Sequence, residues 1–147
     1  MKEISIGIIS YNEEKNIIAI LNSVKLQNIP APFLLKEIII SDDSSDGTPN
    51  LIRDFTIANP NISVRLFHSE IRRGAASGWN EIFRESSGDI LVLYDADIGL
   101  GENCTCNLVK SISEKGIGLC ASNPQPIKYS NIYGRATKFI SDWLRKI

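Results

Sequence analysis

Apolar runs of strand length alternate with amphipathic stretches along this chain, which restricts it to a parallel sheet with crossover helices. The most constraining run is Asp89-Ile90-Leu91-Val92-Leu93-Tyr94, which delivers Asp95-Ala96-Asp97 directly at its C-terminal end. Ligands of an open α/β sheet bind just outside the carboxyl ends of its strands. A strand that releases two carboxylates there predicts a site for a hard cation, Mg²⁺ or Mn²⁺, which usually shares its coordination with substrate phosphates. The residues point to a metal-dependent site for a nucleoside diphosphate.

The rest of the pattern is consistent with such a sheet. A first strand runs from Ile4 to Ser10, and Asn12-Glu13-Glu14 is expected to open a helix reaching about Gln27, with Ile17, Ile18, Leu21 and Val24 as its core stripe. Asn28-Ile29-Pro30-Ala31-Pro32 breaks the chain, because proline blocks helix continuation. A second strand, Glu37 to Ser41, ends in Asp42-Asp43-Ser44-Ser45-Asp46-Gly47. Thr48-Pro49 then predicts a helix start, with a capping hydroxyl and a proline at the first helical position. A third strand over Ile62 to His68 alternates as an edge strand does. Helices follow over Gly74 to Ser86 and Asn103 to Glu114, a short fifth strand is expected over Ile117 to Ala121, and a last helix over Asn131 to Lys146.

Composition narrows the function classes. At 147 residues the chain is expected to form one domain, and a net charge of −1 argues against a nucleic-acid binder held by phosphate contacts. Met1-Lys2-Glu3 runs straight into a strand, so no signal peptide is expected, and no apolar run approaches the roughly 20 residues of a membrane span. Cys104, Cys106 and Cys120, odd in number and without zinc-like spacing, read as reduced thiols of a cytoplasmic protein.

Polar clusters fall at the ends of three strands: Tyr11-Asn12-Glu13, Asp42-Asp43 and Asp95-Ala96-Asp97. In a parallel sheet these ends share one rim. Arg72-Arg73-Gly74 precedes a helix N-terminus, whose amides and dipole favour an anion, and the two arginines read equally as a phosphate clamp or as a solvated surface pair. His68 and Trp79 read as structural.

These blocks, with Ser5 to Glu14, Glu37 to Thr48, Ser86-Ser87-Gly88-Asp89 and the Asp-Ala-Asp in order, resemble the N-terminal half of a family 2 glycosyltransferase. The resemblance implies a GT-A fold: three α/β/α layers around a mainly parallel, Rossmann-like sheet. Residues 1–98 would form the donor-binding core, and residues 99–147 a partial C-terminal part ending in an amphipathic helix. It also implies that Tyr11 and Glu13 lie beside the nucleotide, that Asp42 accepts from the base and that Ile40 contacts it. Asp43, Arg73, Gly74 and Ala96 would belong to the same nucleotide-sugar site, with Asp95 facing the ribose or the metal and Asp97 ligating it. The implied donor is a UDP- or GDP-sugar and the cofactor Mg²⁺ or Mn²⁺; the implied acceptor is a polyprenyl phosphate or a glycan.

Departures from the family pattern include Ile9 for a frequent proline, a shorter Asp42 to Thr48 loop, and Trp79 for a frequent arginine. The acceptor half and its catalytic base are expected to lie beyond this sequence. Transfer would then need a longer protein, a partner chain or an oligomer; a module that binds donor without transferring is the other reading. An unfinished sheet would expose an apolar edge that favours homo-oligomers. The last helix places Ile132, Phe139, Ile140 and Trp143 on a stripe flanked by Arg135, Lys138 and Arg145. It reads either as a cover for the sheet or as an interfacial helix at the cytoplasmic membrane face. A nucleotidyltransferase is disfavoured, because Ser10-Tyr11-Asn12-Glu13 lacks a basic, glycine-rich loop.

Overall fold

A computed structural model of the chain describes residues 1–122. The elements are β1 (Lys2–Ser10), α1 (Ile17–Lys25), β2 (Phe33–Asp42), α2 (Thr48–Ala58), β3 (Val64–His68), α3 (Ala75–Glu85), β4 (Ile90–Asp95) and α4 (Cys104–Ile112). The strands form one sheet in the order β3-β2-β1-β4, and every neighbouring pair is parallel.

Period-2 alternation assigns each strand residue to a face. On one face, Ile4, Ile6 and Ile8 of β1, Ile38 and Ile40 of β2, and Val92 and Tyr94 of β4 form a continuous core with Ile17, Leu21 and Val24 of α1, Ile52 and Phe55 of α2, and Val109 of α4. Burying each isoleucine side chain contributes roughly 1.5–3 kcal/mol relative to leaving it in water. The other face carries Gly7 and Ile9 of β1 and Ile39 and Ser41 of β2, and α3 packs on β1 and β2 there. Gly7 permits that approach, since a Cβ at this position would lie 2.4 Å from Ile82 Cγ2 and 2.9 Å from Leu93 Cδ2. Helices on both faces give the three α/β/α layers that the family resemblance implies.

A buried polar cluster joins the strands at their N-terminal ends. Glu37, 4% exposed, accepts from Ser5 Oγ (2.8 Å), Ser87 N (3.0 Å), Ser87 Oγ (2.7 Å) and Arg65 Nη1 (3.1 Å). Burial pushes its carboxyl up, but the donors of Ser87, Ser5 and Arg65 outweigh that and hold it down at about 2. A bulge lies beside this cluster: Ile4 pairs with Leu35 and Ser5 with Glu37, leaving Lys36 to reach Glu3 Oε2 at 2.7 Å.

Several boundaries differ from the sequence expectation for identifiable reasons. The first helix begins at Ile17 rather than Asn12, because Asn12 takes a left-handed φ of +57° and its Oδ1 accepts from Ser45 N. Glu13 O then accepts from Asn16 N and Ile17 N in a turn. Thr48 does not cap α2; Gly47 is the N-cap, while Thr48 donates its hydroxyl to Asp46 and accepts from Glu13 N. The expected strand over Ile117 to Ala121 is absent: this segment has no ladder partner among the described residues and exposes Ile117 and Leu119. It borders an apolar groove of about 570 Å³ along the outer edge of β4, with Phe83, Leu108 and Ile112 in the other walls. The helix expected over Asn131 to Lys146, and with it the membrane-surface reading, lies outside the described residues. Among the described residues no helix is long and apolar enough to cross a membrane. Cys104, Cys106 and Cys120 are free thiols.

Candidate functional site

The carboxyl ends of β1, β2 and β4 open onto a cleft of about 360 Å³. The end of β1 and its turn contribute Ile9, Ser10, Tyr11 and Glu13, and the end of β2 and the loop after it contribute Ser41 and Asp43. Arg72, Gly74, Ala75 and Gly78 line the side formed by the start of α3, and Asp95, Ala96 and Asp97 follow from β4. Eight residues singled out in the sequence therefore meet here: Tyr11, Glu13, Asp43, Arg72, Gly74, Asp95, Ala96 and Asp97.

Asp42, Ile40 and Arg73 do not line the cleft. Strand parity explains the first two, because Ile38, Ile40 and Asp42 point to the face covered by α1 and α2, whereas Ser41 and Asp43 point toward α3. Asp42 is fully buried and its acceptors are already used. Its Oδ1 accepts from Ser10 Oγ (2.6 Å) and Ser44 Oγ (2.5 Å), and its Oδ2 lies 2.7 Å from His68 Nδ1 and 3.3 Å from Ser44 N. The carboxylate expected to recognise a base thus ties together the ends of β1, β2 and β3, and His68 has the structural role that its isolation implied.

Arg73 stands behind the cleft wall. Asp43 accepts from Arg73 N (2.6 Å), Gly74 N (3.1 Å) and Arg73 Nε (2.9 Å), so two of the amides expected to hold an anion already hold a carboxylate. Burial raises the Asp43 carboxyl, but the Arg73 and Gly74 donors outweigh it and leave the group below its ordinary value. The Arg73 guanidinium also bonds both oxygens of Glu81 at 3.1 Å, and Ser41 Oγ donates to Glu81 Oε2 at 2.7 Å. Gly74 is the N-cap of α3 with φ +86°, a conformation that glycine adopts without strain.

The exposed half of the site is less constrained. Tyr11, 41% exposed, lies beneath the Arg72 guanidinium, whose Cζ is 4.1 Å from the ring centroid. Glu13 accepts from Asn16 Nδ2 at 2.6 Å. Among the described residues Asp95 and Asp97 have no hydrogen-bond donor, and no group of three or more ligating side chains is assembled. Although the Asp95 side chain reaches solvent, the surrounding wall partly desolvates its carboxyl, and the Asp97 charge adds to the effect; both push it up. A carboxylate pair with this mutual repulsion is stabilised by a cation. Of the remaining lining residues, Ser41 was legible from strand parity, whereas Ile9, Ala75 and Gly78 carry no polar signal.

Comparison with known proteins bears on the family and the fold. The family model described as Glycosyl transferase family 2 matches residues 5–147. The glycosyltransferase AglE of Haloferax volcanii is 29% identical over 120 residues, covering 82% of this chain and 38% of that protein. The poly-beta-1,6-N-acetyl-D-glucosamine synthase of Staphylococcus epidermidis is 28% identical over 133 residues, covering 90% and 31% respectively. Among solved structures, the mannosyltransferase PcManGT of Pyrobaculum calidifontis, in complex with GDP-Man and Mn²⁺, superposes with a TM-score of 0.69 at 28% identity, covering 76% of this chain and 32% of that one. The chain spans about a third of the length of these relatives. On the family match and the shared GT-A architecture, the chain belongs to glycosyl transferase family 2.

Proposed function

We propose that this chain forms the donor side of a metal-dependent glycosyltransferase, binding a UDP- or GDP-sugar with Mg²⁺ or Mn²⁺ for transfer to a polyprenyl phosphate or a glycan. One observation carries the reading: Tyr11, the start of α3 and the Asp95–Asp97 carboxylates open on one cleft at the carboxyl ends of the strands. The GDP-Man and Mn²⁺ held by the similar mannosyltransferase support it.

Asp95 and Asp97 suit a hard dication, since their oxygens have no donor among the described residues and repel each other. Asp95 and Asp97 would hold such a cation, which would supply positive charge to offset that of a departing nucleoside diphosphate. The protein's own residues do the rest. Tyr11 and Glu13 flank the nucleoside, and the amides of α3 beyond Gly74 face the diphosphate where Ala75 adds little bulk. Asp43 and Arg73 fix the loop that carries these donors.

Calorimetric titration with UDP and GDP, each with and without Mn²⁺, tests this reading. Binding to one of them that requires the metal is expected. Asp97→Ala is expected to remove the metal-dependent part, roughly tenfold or more in affinity, with an unchanged melting profile. Absence of binding under every condition, or unchanged Mn²⁺-dependent affinity in Asp97→Ala, refutes the assignment.

A further inference from the structure

Resting on the nucleotide-sugar reading above, we infer that Arg72 is an exchanging residue, which gives up the Tyr11 ring to a nucleotide base and moves onto the diphosphate of the same ligand. The charges of the cleft make Arg72 unusual. The other ionisable side chains with an acidic or basic group lining it, apart from Tyr11, are Glu13, Asp43, Asp95 and Asp97, all acidic. The neighbouring cation, Arg73, is committed to Asp43 and Glu81. Arg72 is the one cationic side chain lining the cleft among the described residues, and it makes no ion pair with them. Its guanidinium instead lies 4.1 Å from the Tyr11 centroid.

A planar base and a guanidinium seek the same thing from a tyrosine, its exposed π face. A base that stacks on Tyr11 therefore displaces Arg72. The same ligand brings a diphosphate into a cleft dominated by carboxylates, where a planar guanidinium fork is the matching partner. Arg72 gives up a contact worth about two- to fivefold in affinity. It gains a charge-assisted one worth about tenfold or more. Base and phosphate recognition are thereby coupled through one side chain, and a ligand carrying both parts is favoured over either part alone.

The test separates the two parts of the ligand. Uridine and guanosine are titrated by NMR, and UDP and GDP by calorimetry, against the wild type, Arg72→Ala and Arg72→Lys, with Mn²⁺ present throughout. Arg72→Ala is expected to weaken the diphosphate by roughly tenfold. The same variant is expected to tighten the nucleoside about two- to fivefold. Arg72→Lys, which keeps the charge, is expected to retain more diphosphate affinity than Arg72→Ala. Opposite signs are the signature, because a residue that only supports the loop would weaken both ligands. Weakening of both, unchanged diphosphate affinity, or weakened diphosphate with unchanged nucleoside overturns the exchange while wild-type diphosphate binding still upholds the donor site. A wild type that binds no nucleotide overturns both.

Discussion

Glu37→Gln removes a charge from a side chain that is 4% exposed and accepts four hydrogen bonds. Glutamine has one carbonyl oxygen, so its NH₂ group must face either the Ser5 and Ser87 donors or Arg65, and donor meets donor. The wild-type carboxyl is held at about 2 instead of 4.5. At about 1.4 kcal/mol for each tenfold change in proton affinity, that gap is worth roughly 3 kcal/mol of stability at neutral pH. The sign follows from the lowered value: this stabilisation is complete above about 4.5 and is lost as the pH falls toward 2. Urea unfolding of both proteins, followed by circular dichroism from pH 7 down to acid, reads the effect. The variant is expected to be about 3 kcal/mol weaker at pH 7, equivalent to roughly 6–12 °C in melting temperature. The gap between the two proteins should close as the acid limit is approached. Nucleotide affinity should not change, since Glu37 lies at the end of the sheet opposite the cleft. A loss below about 0.5 kcal/mol, typical of a neutral surface site, refutes the reasoning; so does a gap that persists at low pH.

Two further substitutions probe the α3 side of the sheet. Gly7→Ala drives a Cβ to 2.4 Å from Ile82 Cγ2, and the overpacking should cost about 1–3 kcal/mol in a thermal melt. Asp43→Ala strips the acceptor from Arg73 N, Gly74 N and Arg73 Nε and is expected to lower stability by about 2–3 kcal/mol. The same variant should also weaken UDP or GDP binding in calorimetry, because the start of α3 loses its anchor; unchanged affinity would show that the loop does not set the cleft.

Much of this architecture is legible in the amino-acid sequence. The Ile-rich runs and their intervening amphipathic stretches predicted the parallel sheet, its edge strand β3 and the rim on which the acidic clusters meet. Assignment within the clusters was harder, because Asp42 and Asp43 are chemically identical neighbours. Parity separates them: counting in twos from Ile38 and Ile40 places Asp42 with the core and Asp43 with the cleft. The engagement of the Arg73 and Gly74 amides by Asp43 was not legible, since it joins positions 30 and 31 residues apart through a loop without periodicity. Likewise the delayed start of α1 depends on the Asn12–Ser45 bond between two loops, which no local propensity records. The strand expected over Ile117 to Ala121 shows the opposite limit, for an apolar run becomes a strand only where a neighbour supplies the ladder.

The Asp42 cluster also bears on how such a protein diverges. One buried carboxylate fastens the ends of β1, β2 and β3 beneath the cleft through Ser10, Ser44 and His68. The residues above it that face solvent, Tyr11, Arg72, Asp95 and Asp97, take no part in that fastening. On the proposed donor site, substitutions at those four positions would alter what the cleft accepts at little expense to folding, whereas a change among the fastening residues would weaken the frame itself. If the cleft is the donor site proposed above, ligand preference would be free to drift faster than the scaffold, since a new ligand would not first require new stability.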